Sequence, residues 1–175
     1  HCNSQAYGAF LNWLYKTLNQ PPADVLDLGC DCGLLSLAIA KLYPAANVVG
    51  IDYVGSAISA ANALHKHYEV KNVEFGHHDL TKAGQPISKS RFDLVLAPWL
   101  FHELLPSMRF DDNEPISLNE KNTLDSIASV VADKGLLVSV NRFPYPSWQV
   151  PKLSEIMAEV GLMFAGEDSI AVAEP

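Results

Sequence analysis

At 175 residues the chain is long enough for one compact domain, which would bury roughly 70% of the surface its unfolded form exposes. A composition of 49% hydrophobic and 18% charged residues, with mean hydropathy +0.08, excludes a disordered chain, and a net charge of -8 argues against a broad phosphate-binding face and so against nucleic acid as a partner. No apolar run approaches the ~18 residues that cross a bilayer, and HCNSQAYGAF lacks the basic start and apolar stretch of a signal peptide, so a cytoplasmic protein with no membrane partner is expected.

Tyr7, Phe10, Leu11, Leu14 and Leu18 recur at helical spacing until Pro21-Pro22, which predicts an N-terminal helix within residues 1–20. Ala23 to Leu28 is a short apolar strand closed by Gly29, and LLSLAIAKLY after Gly33 is a helix apolar on most sides, stopped by Pro44. NVVGID, Asn47 to Asp52, is a second strand ending in an acid. Gly55 to Tyr68 is a helix with Ile58, Ala61, Leu64 and Tyr68 on one side. NVEFGHHD and Arg91 to Trp99 supply the third and fourth strands. Leu104 to Ser117, with two prolines and a polar tract, reads as a loop. Ser117 and Glu120 form a capping-box pattern ahead of a helix striped by Leu124, Ile127, Ala128 and Val131 and closed by Gly135 as a C′ residue. GLLVSVNRF is the fifth strand. PSWQVPKLSEIMAEVG is a helix with Leu153, Ile156, Met157 and Val160 inward, and LMFAGEDSIAVA a last strand or broken hairpin. Apolar strands alternating with helices predict an α/β fold: a doubly wound, mostly parallel sheet with helices on both faces, in one domain over residues 1–175.

The chemistry concentrates in VLDLGCDCGLL, Val25 to Leu35, where a buried strand runs into a glycine turn and then a helix. A dinucleotide fingerprint starting at Gly29 would need glycine at positions 31 and 34, which hold Asp31 and Leu34. An acid followed by alternating glycines fits better, as Asp27, Gly29, Asp31 and Gly33, with the one departure at Asp31. Aspartate is among the few residues that tolerate the left-handed region such a turn requires. In this motif the chain resembles the class I S-adenosylmethionine-dependent methyltransferases of the small-molecule type. The resemblance extends through VVGIDY, HHDL, FDLVLAPWLFHEL and VVADKGLLVSV in order, from Val25 to about Ala173.

The resemblance implies S-adenosyl-L-methionine as cofactor, S-adenosyl-L-homocysteine as product, and the following roles. Gly29, Cys30, Asp31 and Gly33 would cradle the methionyl portion, with Asp27 binding its amino group directly or through water. Asp52 would accept from both ribose hydroxyls and Tyr53 would lie on the adenine face. Asp79 would take the adenine amino group, the Leu80 N-H would meet the ring, and Ala97 at the end of the fourth strand would border the cofactor. The family's sheet normally ends in an antiparallel pair, and the short stretch after Gly161 could leave this sheet without it.

The acceptor side is read from position. Open α/β sheets bind ligands beyond the carboxyl ends of their strands. His102, following the fourth strand, is therefore the candidate base for a hydroxyl acceptor, with packing in the turn as its alternative role. Trp99, Phe101, Arg109 and Phe110 are candidate acceptor contacts, and 104–117 the candidate acceptor loop. APWL departs from the Asn-Pro-Pro-aromatic tetrapeptide of nucleic-acid and glutamine amino-methylating relatives, which disfavours an exocyclic amine acceptor. The expected partner is a small-molecule acceptor. A protein acceptor, or a noncatalytic methyltransferase-like module serving as partner subunit, is the alternative.

Three cysteines fit reduced thiols better than a disulfide framework, and Cys30 and Cys32 lack a second pair to complete a zinc site, so no metal is expected. His65 and His67 fall on different helix faces and read as surface, whereas His77 and His78 adjoin the expected adenine pocket as wall. Acids at strand ends also serve as turn formers, and that reading stands beside the cofactor role of each of Asp27, Asp52 and Asp79.

Overall fold

The computed structural model describes residues 4–82, 85–88, 90–106, 115–140 and 149–163. Along the chain it runs α1 (Ser4–Thr17), β1 (Asp24–Leu28), α2 (Leu34–Leu42), β2 (Asn47–Asp52), α3 (Gly55–Tyr68), β3 (Val73–His77), β4 (Phe92–Pro98), α4 (Phe101–Leu104), α5 (Leu118–Ser129), β5 (Val131–Val140) and α6 (Gln149–Glu159). The five strands form one parallel sheet in the order β3-β2-β1-β4-β5. The chain steps outward from β1 to β3 and then returns to the other side of β1 at β4. That reversal leaves a crevice at the carboxyl ends of β1 and β4, the place where open α/β sheets generally bind ligands.

The strand pleat divides the core between two faces. Val25 joins one buried cluster while Leu26 and Leu28 join the other, and on β4 Leu94 and Leu96 oppose Val95 and Ala97 in the same way. Phe10 and Leu14 of α1 with Leu35, Leu37 and Ile39 of α2 cover the first face. Phe101 and Leu104 of α4, Leu124 and Ile127 of α5, and Ile156 and Met157 of α6 cover the second. Each such side chain, fully buried, stabilises by about 1.5–3 kcal/mol relative to exposure, so both layers are held by apolar contact.

The helix ends follow sequence signals. Ser117 Oγ accepts from the Glu120 N-H at 3.2 Å while Glu120 Oε2 accepts from the Ser117 N-H at 2.7 Å, the reciprocal capping box. Leu162 N-H donates to the Met157 carbonyl and Gly161 N-H to that of Ala158, closing α6 with a Schellman pair.

Two expectations are corrected. Helix α5 stops at Ser129, and Val131 and Gly135, predicted as helix stripe and C′ residue, lie in β5. The cause is non-local: Val131 pairs with Phe92, and the ladder resumes only at Leu94 opposite Leu136, so Ala132 to Gly135 form an irregular insertion in the strand. Glycine fits there because a Cβ at 135 would stand 2.8 Å from the Phe92 carbonyl oxygen. Tyr68, expected inward on α3, is 49% exposed, with Lys41 Nζ 4.8 Å above its ring. Most of the segment expected to add a last strand after Gly161 lies outside the described residues. Among the described residues, no helix is long and apolar enough to cross a membrane.

Candidate functional site

The turn between β1 and α2 is built from alternating left-handed residues: Gly29 at φ 67, Asp31 at φ 49 and Gly33 at φ 77. Asp31 thus takes the conformation expected of it, with its residue exposed. The two glycines answer different demands. A Cβ at Gly29 would reach only Leu100 Cδ1, at 3.0 Å, whereas one at Gly33 would overlap the Phe75 ring at 2.6 Å and Ala61 Cβ at 2.9 Å. Gly33 therefore lets α2 close on β3 and α3, a packing demand on this position.

Backbone donors in the turn are largely spent inside the protein. Cys30 N-H donates to the Ile51 carbonyl at 3.0 Å and Gly33 N-H to the Cys30 carbonyl at 2.9 Å. Asp31 N-H donates to Asp52 Oδ2 at 3.0 Å, and Val54 N-H to Asp52 Oδ1 at 2.8 Å. Asp52, only 8% exposed, therefore ties the β1–α2 turn to the loop after β2. Each of its oxygens retains a second acceptor site, so buttressing the turn and receiving ligand hydroxyls are compatible.

Asp27 has no exposed surface. Its Oδ2 accepts from Ser36 Oγ at 2.5 Å and its Oδ1 has no partner. Burial, opposed by the Ser36 hydrogen bond and reinforced by the nearby Asp52 charge, pushes its carboxyl up to about 7. Cys30 is buried and free, and burial with the neighbouring acids pushes its thiol well above the usual range, which suits an inert packing residue. Cys32 is half-buried.

Next to the turn lies a cleft of about 290 Å³ at the carboxyl ends of β1, β2 and β3. Gly29, Ile51, Asp52 and Tyr53 form one side, His78, Asp79, Leu80 and Thr81 another, and Leu100, Glu103 and Leu104 of the α4 region the third. Its size is at the low end of small-ligand sites, roughly 300–1,000 Å³. Tyr53 is 63% exposed at the rim. Its carbonyl accepts from His77 Nε2 at 2.8 Å, and the Asp52 carbonyl accepts from the His78 N-H at 2.9 Å, so β3 fixes the loop that carries both. Burial lowers the His78 pKa, leaving that ring neutral at physiological pH. Asp79 Oδ1 accepts from the Thr81 hydroxyl at 2.7 Å and its N-H at 3.0 Å, and these bonds hold the carboxyl below its usual range. It is thus a turn former as well as a cleft wall. The loop docks on α5 through Thr123 Oγ1 and the Leu80 carbonyl, a link between residues far apart in sequence.

The other named residues lie elsewhere. Ala97, expected beside the cofactor, is fully buried in the core, and Phe101, expected at the acceptor, is 4% exposed in the same cluster. Trp99 is half-buried at φ 52. Its N-H donates to the Val140 carbonyl at 2.6 Å, and its ring meets Tyr7 of α1 edge-on at 5.4 Å. His102 is half-buried with Nε2 3.9 Å from Glu103 Oε1, and of this pair Glu103 lines the cleft. Arg109 and Phe110 lie outside the described residues, as does most of the 104–117 loop. Sequence reasoning missed Ser36 and Leu100, and the contact of Tyr7 with Trp99. Only Ser36 carried a local signal, a hydroxyl at a buried position of an otherwise apolar helix.

Cleft and cradle can be tested for fit to S-adenosylmethionine. The acids Asp52, Asp79 and Glu103 line the cleft with no Lys or Arg among its described lining residues, and Asp27 keeps an orphaned acceptor under the turn. That charge pattern suits a ligand carrying a sulfonium and an ammonium.

Comparison with known proteins points the same way. A family model described as a methyltransferase domain matches residues 20–160. The chain is 38% identical over 74 residues to the release factor glutamine methyltransferase of Aliivibrio fischeri, covering 42% of this chain and 25% of that protein. It is 34% identical over 129 residues to the ribosomal protein L11 methyltransferase of Burkholderia thailandensis, covering 70% of this chain and 40% of that protein. It therefore spans between 25% and 40% of the length of these curated relatives. Among solved structures, coclaurine N-methyltransferase bound to N-methylheliamine and SAH superposes with TM-score 0.58 at 22% identity, over 77% of this chain and 35% of that one, a likeness of fold. The chain belongs to the methyltransferase-domain family, the class I enzymes that use S-adenosyl-L-methionine as cofactor.

Proposed function

We propose that this chain, as a single domain, transfers a methyl group from S-adenosyl-L-methionine to a small-molecule acceptor by in-line displacement, releasing S-adenosyl-L-homocysteine. The observation that carries the acceptor class is the cleft's lining: three acids and the apolar Leu100 and Leu104, with no Lys or Arg among the described lining residues to meet a phosphate backbone, and with the adjacent Lys82 paired to Asp79 at 3.7 Å. The cofactor supplies an electrophilic methyl on a sulfonium centre whose positive charge is lost as the methyl leaves. Asp52 holds the ribose hydroxyls through its remaining acceptor sites, Tyr53 flanks the adenine, and the Asp79–Leu80 backbone meets its edge. Leu100 and Leu104 exclude water where charge is lost, so positioning and desolvation carry the rate. His102, beside Glu103 after β4, takes the proton of an acceptor that must lose one.

The test is titration calorimetry with S-adenosylmethionine, followed by incubation with methyl-labelled cofactor and cell extract separated into small-molecule, protein and RNA fractions. Label in the small-molecule fraction supports the reading. Label confined to protein would favour a protein acceptor, the second reading, which the names of the two curated relatives support. Binding without transfer in any fraction would make the chain a noncatalytic partner module.

A further inference from the structure

The hydrogen bond from Ser36 to Asp27 spans the base of the turn, joining the end of β1 to the first turn of α2 beneath Gly29 to Gly33. Neither residue has exposed surface. A Cβ on Gly50 would stand 2.9 Å from Ser36 Oγ, so the hydroxyl is wedged against β2 and has little room to turn elsewhere. One carboxyl oxygen is thereby committed to Ser36 and the other, Oδ1, is left buried without a partner. Among the described residues, the groups facing Asp27 offer no cation. Ser36 comes from α2, Asp52 from the end of β2 and the Cys30 thiol from the turn, while its register partners Gly50 on β2 and Leu96 on β4 are uncharged. A buried carboxylate supported by a single neutral donor and facing a second carboxylate is more stable carrying a proton. A cation brought to the cradle reverses that preference.

We propose that Asp27 is protonated in the free protein and releases its proton to solvent when the cationic methionyl end of the cofactor arrives, with Ser36 as the positioning residue that fixes which carboxyl oxygen stays available. The step balances: Asp27-COOH becomes Asp27-COO⁻, the proton passes to buffer, and the ammonium-bearing ligand supplies the compensating charge. It rests on the cofactor reading above and deepens it by making binding proton-linked. Since burial raises the carboxyl to about 7 in the free protein, affinity should fall as pH drops below 7. The ligand's own amino group, ordinarily near 7.7–8.0, stays charged in that range.

The experiment is calorimetry of S-adenosylhomocysteine binding at pH 6 in buffers of different ionisation enthalpy, with 5′-methylthioadenosine, which lacks the amino-acid end, as the comparison ligand. The expected result is release of a large fraction of one proton with S-adenosylhomocysteine and little with 5′-methylthioadenosine. Affinity for the former should weaken several-fold from pH 7 to pH 6. Asp27→Asn should abolish that release, and a titration of His78 in the same range would survive the substitution and so be told apart. Ser36→Ala, which removes the one bond favouring the ionised form, should move the midpoint of the affinity profile to higher pH; a fold check by circular dichroism accompanies both variants. S-adenosylhomocysteine binding with no proton exchange in the wild type, or with release unchanged in Asp27→Asn, overturns the inference while leaving the cofactor reading intact. No binding at any pH overturns both.

Discussion

Two of the cleft's three sides are organised differently. On the β1–β2 side, residues 27–36 and 52–54 are cross-tied by short hydrogen bonds: Ser36 to Asp27, Asp31 and Val54 to Asp52, and Cys30 to Ile51. On the β4 side, Trp99 to Leu105 is held by packing of Phe101, Leu104 and Leu105 into the core and by a strained Trp99. The first side is a rigid polar frame whose shape depends on single atoms. The second is held mainly by apolar packing, and that packing tolerates change as long as volume is kept. On the proposed reading, a fold that fixes its cofactor half and leaves its acceptor half to packing can vary its acceptor without rebuilding the cradle.

The contrast is tested most severely at Gly33. Gly33→Ala places a methyl 2.6 Å from Phe75 at positive φ and should destabilise by about 3 kcal/mol, read as a lower urea midpoint. Gly29→Ala, which meets only the end of Leu100, should cost about half that and act mainly on ligand affinity. Equal losses at the two positions would show that the glycines do one job.

The next effect is a pH dependence. Asp27 has a folded-state value raised from 3.8 to about 7, so folding takes up a proton between those values. Its stabilising contribution is full below about pH 4 and is lost as pH rises through 7. From pH 5 to pH 8 this amounts to about 2–3 kcal/mol. Melting curves of the free protein should show that decline, and Asp27→Asn should flatten it. A decline of the same size in the variant would place its origin in another group.

Asp52→Ala should weaken S-adenosylmethionine binding ten- to a hundredfold, a loss of about 1.5–3 kcal/mol, and also loosen the turn, since Asp31 and Val54 lose their acceptor. Calorimetry and hydrogen exchange at residues 30–32 read the two effects separately. The smallest expected effect is at Trp99. Trp99→Gly and Trp99→Ala both lose the Tyr7 ring, but glycine relieves the positive φ, so the glycine variant should be the more stable by about 1 kcal/mol. The reverse order would mean that the backbone there is not strained. Neither variant should alter cofactor affinity, because Trp99 is not among the cleft's lining residues.

The sequence by itself determined the elements whose signals are local. The bounds of β2 and α3, the capping box at Ser117 and Glu120, the closure of α6 at Gly161 and the glycine turn after β1 are all legible, because backbone conformation at these points is set by residues within a few positions. The tertiary structure decided what depends on partners distant along the chain. Helical spacing continued past Ser129, yet pairing with Phe92 drew Val131 into β5. Ala97 and Phe101 lie close to the cleft in sequence but face the core, since a pattern of alternation gives the period of burial and not which neighbour fills each face. Asp52 was legible as an acid at a strand end. That it braces Asp31, 21 residues earlier, required the two strand ends to be side by side. Ser36 reads as a polar interruption in an apolar helix until β1 places Asp27 against it, and only then does burial make a proton on that carboxyl favourable.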